Sequence, residues 1–329
     1  MSNVLVTGGA GFVGAYVSRT LLRAGHRVVV YDAAPTMNTL GMLFGDSVDR
    51  SLTVVAGEIT DAWQVLRLCR QHDIENIVHL ASPLTQHVTE NPSRGIRDIC
   101  LGTQTMFEVA RQAAVRRVVW ASSVAVFGRS DEYPPGPIRN DAPHIPETLY
   151  GQCKSLCERA ATLAWEKDQV DSVGLRLTVV YGAGRLRGYM SIPSHMLRQA
   201  AVGESFVVPH RDQLLNWQYV EEVADSVLCA MESNVKGEGE TYNAWGDART
   251  WSDAMEVVSS LRPELEVTGI VGSDPHLAGV PFHFDASEFA NRYNYEHSWP
   301  LERGIDLTLK TYGDFGRLGR LPGEASHDR

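Results

Sequence analysis

The chain has 329 residues, 43% of them hydrophobic, and a formal net charge of −10. That length and composition support a large core in one or two domains. The negative charge suits neither nucleic acid nor an anionic membrane surface, and no apolar run reaches the roughly 20 residues that span a bilayer. The five scattered cysteines contain no Cys-x-x-Cys pair, and no histidine completes a zinc spacing with Cys153 and Cys157. We therefore expect a cytoplasmic protein with free thiols, no metal, and no nucleic-acid or membrane partner.

Short apolar strands alternate with periodic helices over the first 182 residues. This alternation predicts a doubly wound α/β fold, in which helices cover both faces of a parallel sheet. After about residue 183 the pattern gives way to short mixed segments, which predict a smaller lobe, and the tail at 321–329 is expected to be disordered. In chain order we predict strand 3–7, helix 12–25, strand 27–32, strand 52–57, helix 61–72, strand 76–82, helix 94–114, strand 116–123, helix 149–168 and strand 172–182.

The first predicted strand leads directly into a glycine-rich loop, VTGGAGFVG, and the first helix follows at once. The spacing of Gly8, Gly11 and Gly14 permits a tight turn, close approach of the backbone to a pyrophosphate, and close contact between helix and strand. Asp32 ends the second strand, where a carboxylate binds a ribose 2′-hydroxyl and repels a 2′-phosphate. No arginine follows at 33 or 34, so we predict that NAD binds rather than NADP. A purely structural glycine turn is the alternative.

Tyr150 and Lys154 are four residues apart on a predicted helix and therefore lie on one face of it. The same spacing occurs by chance on many solvated helix faces, so alone it does not indicate an active site. A neighbouring ammonium favours the ionised form of a phenol, which then accepts a proton from a substrate hydroxyl. The pair therefore has a chemical use if a cofactor site lies beside it.

Nine motifs follow one another in a characteristic order: TGGAGFVG (7–14), YD (31–32), GEITD (57–61), IVHLAS (77–82), ASSVAVFG (121–128), YGQCK (150–154), RLTVVYGAG (176–184), YVEEVADSV (219–227) and FDASEFANRYNYEHSWPLERGI (284–305). They resemble the extended short-chain dehydrogenase/reductase family, also called the NAD-dependent epimerase/dehydratase family, over nearly the whole chain. The resemblance implies a Rossmann-type NAD-binding domain at 1–182, to which the chain returns around 216–246, and a substrate-binding lobe at 183–215 and 247–320. It also implies a homodimer, paired through the helices at 94–114 and 149–168.

By this resemblance Tyr150 and Lys154 are the catalytic tyrosine and lysine, and Ser123 is the catalytic serine, with Ser122 a weaker candidate. Thr85 is explained equally well by a structural loop, and His79 is read as a core histidine rather than a base. The implied cofactor-binding residues are Gly8, Gly11, Phe12, Val13, Gly14, Asp32, Glu58, Ile59, Leu80, Ala81, Ser82, Tyr150 and Lys154, and the implied substrate contacts near them are Ser82, Thr85 and Ser123.

Several positions depart from the pattern of the nucleotide-sugar enzymes in this family. Val179 stands where many members carry an Asn that contacts the substrate diphosphate, and Leu215 stands where many carry a nucleotide-binding Arg. The pair Val124 and Ala125 replaces the Asp-Glu pair of the 4,6-dehydratases, and Ile99 replaces an Asn often found near the cofactor. Because a diphosphate needs paired donors, the losses at Val179 and Leu215 favour a smaller substrate. Without the Asp-Glu pair, dehydration lacks its acid and base, and Ile99 is expected to loosen one cofactor contact.

The lobe contains a local excess of basic residues, which would suit a carboxylate or phosphate on the substrate. Solvated surface cations are the simpler explanation for most of them, but Arg185 directly follows YGAG, where family members place substrate contacts. Among these basic residues we therefore predict Arg185 as the first candidate for a substrate contact. Trp217 either lines the same pocket or packs the lobe. The basic residues are Arg185, Arg187, His195, Arg198, His210 and Arg211.

The leading hypothesis is an NAD-dependent dehydrogenase that oxidises a secondary alcohol, or reduces the ketone, of a small polar substrate, sugar-like or a hydroxy acid, with an anionic group expected on it. The alternative is a nucleotide-sugar epimerase in which NAD stays bound and is recycled; it shares every cofactor motif and disagrees only at Val179 and Leu215. A third hypothesis, an NAD-sensing scaffold, needs neither Tyr150 nor Lys154, so their presence argues against it.

Overall fold

The computed structural model describes residues 1–35, 37–45 and 52–317 of the chain. The predicted tail at 321–329 and the last three residues predicted for the lobe lie outside the described residues. The strands are β1 Asn3–Thr7, β2 Arg27–Asp32, β3 Leu52–Ala56, β4 Asn76–His79, β5 Arg117–Ser123, β6 Ser172–Leu177, β7 Val179–Tyr181, β8 Phe206–Val208, β9 Leu214–Tyr219, β10 Glu240–Asn243, β11 Asp247–Thr250 and β12 Val267–Gly269. The α-helices are α1 Phe12–Arg23, α2 Met37–Phe44, α3 Ala62–Gln71, α4 Thr85–Glu90, α5 Pro92–Ile96, α6 Gly102–Gln112, α7 Leu149–Asp168, α8 Ile192–Ala201, α9 Val220–Glu232, α10 Trp251–Leu261, α11 Ser287–Tyr293 and α12 Leu301–Arg317.

Seven of these strands form one parallel sheet in the order β3-β2-β1-β4-β5-β6-β10. Alternate residues of each strand point to opposite faces. Val4 and Val6 therefore pack into the core beneath α1 and α9, whereas Leu5 packs into a second core beneath α3, α6 and α7. The predicted doubly wound Rossmann-type fold is confirmed. The carboxyl ends of β1, β4 and β5 meet at one edge, where such folds bind their ligands.

The lobe is built on a separate three-stranded sheet, in which β9 pairs in parallel with β7 and antiparallel with β11. A parallel pair of β8 and β12 and the helices α8, α10 and α12 complete it. Between β9 and β11 the chain returns to the large sheet. There α9 packs against α1, and β10 forms the edge strand beside β6.

Two predicted elements are divided in the structure. The predicted strand 172–182 is two strands in different sheets, and the chain leaves β5 at Thr178. The Thr178 backbone N–H donates to Gln218 Oε1 at 3.1 Å, and its hydroxyl donates to the Asn216 carbonyl at 3.1 Å. The predicted helix 94–114 begins earlier, at Pro92, and contains a π-helical turn at Arg97–Leu101 between α5 and α6. The helices α2 and α4 were not predicted. Within the described part of the chain, no helix is both long and apolar enough to cross a membrane.

Candidate active site

The glycine loop between β1 and α1 leaves no room for side chains at two of its predicted positions. Gly8 has φ +68°, and a Cβ there would lie 2.7 Å from the backbone nitrogen of Ala81. A Cβ on Gly14 would lie 2.2 Å from the carbonyl oxygen of Gly8, so only glycine lets the helix approach the strand this closely. Gly11 is the N-cap of α1 and has no side chain to occupy the helix N-terminus, so the first backbone N–H groups, from Phe12 onward, face the loop.

Asp32 lies at the carboxyl end of β2 and faces the same loop. Its Oδ2 accepts a hydrogen bond from the backbone N–H of Ala10 at 3.2 Å, and its Oδ1 accepts one from Ala34 at 3.1 Å. The carboxylate is only partly buried, so it keeps acceptor capacity for a ribose hydroxyl. These contacts place the acid predicted to select NAD directly beside the loop predicted to hold the pyrophosphate.

The loop, its helix N-terminus and Asp32 fit a dinucleotide, because backbone N–H groups at the start of α1 face the loop and the Asp32 carboxylate keeps acceptor capacity beside it. The other predicted cofactor residues surround it. Ile59 is nearly buried and packs on Gly102, whereas Glu58 is exposed and lies 3.8 Å from Arg97. Partly buried residues that follow the loop and strand β4 complete the candidate cleft: Phe12, Val13, Leu80, Ala81 and Ser82.

The predicted catalytic pair occupies the first turns of α7. This helix begins after Thr148, whose hydroxyl accepts a hydrogen bond from the Gly151 N–H at 3.1 Å. The Lys154 side chain is only 3% exposed, and its Nζ donates to the carbonyl oxygen of Ala121 at 2.8 Å. That nitrogen lies 5.8 Å from the ring centroid of Tyr150, which is partly buried. The ammonium is thus held next to the phenol with its charge available to stabilise a phenolate.

Ser123 ends β5, so β5 and α7 bring all three predicted catalytic residues to one edge of the sheet. Its hydroxyl accepts the N–H of Ala125 at 3.2 Å and remains partly exposed. The neighbouring Ser122 is buried and donates to Glu158 Oε1 at 2.5 Å. The structure therefore favours Ser123 over Ser122 as the residue that meets a substrate.

A buried ionic network supports α7 from behind, and sequence reasoning missed it. Glu158 accepts hydrogen bonds from the Arg176 guanidinium at 2.8 and 3.0 Å. Arg176 also donates to the Asn140 carbonyl at 2.8 Å and to Asn243 Oδ1 at 3.1 Å. The partners are up to 103 residues apart in the chain, so no local spacing could have indicated them.

His79 is a buried core residue, as the sequence indicated. Its Nδ1 lies 2.7 Å from the Thr7 hydroxyl and its Nε2 lies 3.2 Å from the Thr103 hydroxyl. Burial, together with the nearby charge of Lys154, lowers the pKa of His79 to about 3. The imidazole is therefore neutral, and it links the last residue before the glycine loop to α6.

Arg185 is the predicted substrate contact from the lobe, and its guanidinium lies within electrostatic range of Tyr150. Burial lowers the pKa of its guanidinium to about 10, and the adjacent Tyr150 opposes that change by favouring the charged form. Its Nη1 donates to the carbonyl oxygen of Val180. Among the described residues, no acidic side chain acts on this cation. A charged, mostly desolvated guanidinium without a carboxylate partner is suited to an anionic group of the substrate.

The other predicted substrate contacts lie in different surroundings. Thr85 is exposed at the start of α4, and Arg187 is exposed as well. Trp217 is 1% exposed, its Nε1 donates to the Arg249 carbonyl at 3.0 Å, and its ring packs against Trp251 at 4.7 Å between centroids. The ring therefore packs the lobe, which was the second of the two explanations for it.

Val179 and Leu215 are also core residues of the lobe, and each is less than 5% exposed. The two strands that carry them, β7 and β9, are paired. Neither side chain supplies a polar contact, which agrees with the expected absence of these two nucleotide anchors. No group of three or more potential metal ligands occurs in the described ranges.

Fold and site together define an NAD-binding enzyme of the extended short-chain dehydrogenase/reductase type. The model of the NAD dependent epimerase/dehydratase family matches residues 4–244, and the chain belongs to this family. It is 27% identical over 282 residues to UDP-glucose 4-epimerase of Azospirillum brasilense, covering 81% of this chain and 77% of that protein. It is 26% identical over 346 residues to UDP-glucuronate 4-epimerase 2 of Arabidopsis thaliana, covering 96% and 77%.

The fold is also that of solved dehydrogenases. The crystal structure of L-threonine dehydrogenase from Clostridium difficile superposes with a TM-score of 0.83 at 18% identity, covering 96% of this chain and 99% of that one. At such identity the likeness shows the fold alone. The sequence relatives therefore favour the epimerase alternative over the leading dehydrogenase hypothesis.

Proposed function

We propose that this protein is a nucleotide-sugar epimerase that keeps NAD bound and regenerates it within each turnover. The observation that carries the proposal is the partly buried guanidinium of Arg185, which senses Tyr150 and on which no acidic side chain of the described residues acts, in a chain whose reported sequence relatives are UDP-sugar 4-epimerases. A substrate with a diphosphate or a sugar carboxylate would supply the missing negative charge.

The chemistry assigns one role to each predicted catalytic residue. Bound NAD supplies the hydride acceptor for the sugar carbon. Tyr150 takes the proton of the hydroxyl on that carbon and returns it once the opposite face of the sugar has been presented. Lys154, held by the Ala121 carbonyl, keeps a positive charge beside the phenol, and the Ser123 hydroxyl donates to the reacting oxygen.

The substrate is proposed to lie between this edge of the sheet and the lobe built on β7, β9 and β11. Arg185 is the first residue of the lobe after the YGAG turn, so it would reach the substrate from the lobe side. Ser82 and Thr85 would approach from the β4 side. This assignment makes the lobe the substrate-binding domain and leaves Asp32 and the glycine loop to the cofactor.

A dehydrogenase acting on a smaller anionic substrate is the second candidate. The specific observation in its favour is the apolar, buried character of Val179 and Leu215, which removes two donors that a nucleotide diphosphate uses in many relatives. Under this alternative Arg185 would hold the carboxylate of a hydroxy acid or sugar acid.

We also propose a homodimer that acts in the cytoplasm. Four large apolar side chains are exposed on the α5–α6 segment and on α7, which is costly for a monomer in water. They are Ile96 at 46%, Leu101 at 51%, Leu149 at 39% and Leu156 at 58% exposed. The five cysteines are all free thiols, which suits a reducing compartment.

The decisive experiment compares two product assays on the purified protein with added NAD. One assay separates sugar epimers after incubation with UDP-glucose or UDP-glucuronate; the other follows NADH absorbance with sugar acids, hydroxy acids and threonine. We expect epimerised UDP-sugar without stoichiometric NADH, and loss of the product in Tyr150→Phe. Stoichiometric NADH from a small acid, with no epimerisation, would replace the epimerase by the dehydrogenase.

A further inference from the structure

Three thiols meet between the π-helical turn and α7, close to the catalytic lysine. The Cys100 Sγ donates to the Cys153 carbonyl at 3.9 Å, and the Cys157 Sγ donates to the Ile99 carbonyl at 3.6 Å. The Cys153 carbonyl lies one helical turn before Cys157, and the Ile99 carbonyl carbon is bonded to the Cys100 nitrogen, so each of these two thiols contacts the backbone beside the other. Cys153 and Cys157 flank Lys154 on α7, whereas Cys100 comes from a segment more than 50 residues earlier. The cluster therefore joins two elements that the chain brings together only by folding.

The thiols differ in their readiness to ionise. The hydrogen bond from Cys100, helped by the charge of Lys154 and a bond from Thr103, outweighs burial and lowers the pKa of Cys157 to about 7. Burial raises the pKa of Cys153, and the same shared proton raises that of Cys100. Cys157 is thus the thiol of the group that ionises most readily, and a second thiol lies next to it. A thiolate adjacent to a second thiol is the arrangement of reactive, oxidisable cysteines.

We propose that Cys100 and Cys157 form a peroxide-sensitive pair that closes into a disulfide within one chain. In the first step the Cys157 thiolate attacks one oxygen of hydrogen peroxide, the O–O bond breaks, and Cys157 sulfenic acid and water result after uptake of one proton. In the second step the Cys100 sulfur attacks the sulfenic sulfur, and water leaves with the thiol proton. The two thiols lose two electrons in total, and the peroxide is reduced to two waters.

Access to the pair comes from the π-helical turn. Cys157 is 1% exposed, but Cys100 is partly exposed. The π-helix is a rare form with a strained hydrogen-bonding pattern, and such turns frequently occur at functional sites. Local opening of this turn admits the oxidant from the side of Cys100. Cys153 is not the partner, because it lies on the same helix as Cys157, whereas the Cys100 and Cys157 thiols each contact the other's segment.

Oxidation of the pair acts on the cofactor cleft through two described contacts. It removes an ionisable thiol whose pKa is lowered by Lys154 and Thr103, and so changes the charge and the hydrogen-bonding capacity beside both residues. The Thr103 hydroxyl also lies 3.2 Å from His79 Nε2, and the Thr7 hydroxyl, one residue before Gly8, lies 2.7 Å from His79 Nδ1. A disulfide at Cys157 therefore disturbs the support of both the glycine loop and Lys154, and we expect it to weaken NAD binding.

Tryptic mapping tests the pair directly, because cleavage after Lys154 separates the two α7 cysteines. Peptides 98–111, 140–154 and 155–159 carry Cys100, Cys153 and Cys157 respectively. After treatment with hydrogen peroxide we expect peptide 98–111 to be linked to 155–159, in a chain that migrates as a monomer on a non-reducing gel. The link should persist in Cys153→Ser and be lost in Cys100→Ser and Cys157→Ser. A link to 140–154, or sulfinic acid at Cys157 without any disulfide, would overturn the proposal.

The effect on the cleft has its own readout, independent of any substrate. Titration calorimetry with NAD should show at least a several-fold weaker affinity for the oxidised wild type, restored by dithiothreitol. After the same peroxide treatment, Cys100→Ser should still bind NAD with the affinity of the untreated protein, whose cysteines are thiols. An oxidised protein that carries the mapped disulfide but binds NAD as before would refute the coupling to the cleft. Because neither measurement uses a sugar, failure of the epimerase proposal leaves both results interpretable.

Discussion

The hydroxyl of Ser122 donates to Glu158 Oε1 at 2.5 Å, and this bond separates the roles of two adjacent serines. Ser122 points into the buried network behind α7, whereas the Ser123 hydroxyl stays partly exposed at the end of β5. We expect Ser123→Ala to lower kcat by about 100-fold or more, since it removes a donor to the reacting oxygen.

Ser122→Ala is the matched control for Ser123→Ala. It should keep kcat within a few-fold of the wild type and lower the free energy of unfolding by about 1–3 kcal/mol, because buried Glu158 loses a donor. Steady-state kinetics and urea unfolding on both variants check the pair of outcomes. Equal losses of kcat in the two variants would contradict the assignment.

Glu158 is the counter-ion of the buried Arg176 guanidinium. We therefore expect its charge to affect the free energy of unfolding more than the rate of the reaction. Glu158→Gln should destabilise the protein by about 3 kcal/mol, because it leaves a buried cation without its counter-ion. Glu166→Gln breaks the exposed 3.9 Å pair with Arg159 on the same helix and should cost less than about 1 kcal/mol. Thermal unfolding followed by circular dichroism measures both; similar melting temperatures for the two variants would show that the network is not stabilising.

Arg185 should act on substrate affinity and not on NAD affinity. We expect Arg185→Met to raise KM for an anionic substrate about 10- to 100-fold, the value of losing one or two charge-assisted hydrogen bonds. Arg187→Met, an exposed arginine two residues further on, is the control and should change KM less than two-fold. Calorimetry with NAD should give the same affinity for the wild type and both variants. A large effect on NAD affinity in Arg185→Met would move this residue out of the substrate site.

The exposed leucine on α7 tests the dimer. Leu156→Glu places a charge at the centre of the proposed apolar contact, and desolvating that charge should convert a dimer to a monomer at micromolar concentration. Val207→Glu is the control, because Val207 is equally exposed, at 59%, but lies on β8 of the lobe. Light scattering coupled to gel filtration reads the mass. A wild-type protein that is already monomeric would refute the homodimer outright.

Local patterns predicted the parts of the fold that local interactions determine. Helix α7 has the predicted bounds 149–168, because its Thr148 cap and its periodicity are both in the sequence. The break at Thr178 was not predictable, because both halves of 172–182 are apolar and the division is decided by bonds to Asn216 and Gln218, some 40 residues away. Trp217 was unpredictable for the same reason. An aromatic residue that packs a core and one that lines a pocket have the same sequence pattern.

The candidate site also combines features that local sequence determines with features that long-range packing determines. The glycines, Asp32 and the Tyr150–Lys154 spacing were readable because each belongs to one short segment. The electrostatic influence of Tyr150 on Arg185 and the contacts of Cys100 and Cys157 with each other's segments depend on how distant parts of the chain pack, so only the structure shows them. The roles of the catalytic and substrate-binding residues stay predictions until the variants above are measured.

His79, the neutral histidine between Thr7 and Thr103, makes the folded chain less stable at low pH. An unfolded chain takes up a proton on His79 near pH 6.5, whereas the folded chain does not accept it until the pH approaches 3. Since the unfolded form binds more protons in this interval, stability rises with pH there and falls as acid is added. Each pH unit below about 6.5 costs the folded form about 1.4 kcal/mol at this one residue. The burial of the histidine that links the cofactor loop to α6 thus also makes the protein sensitive to acid.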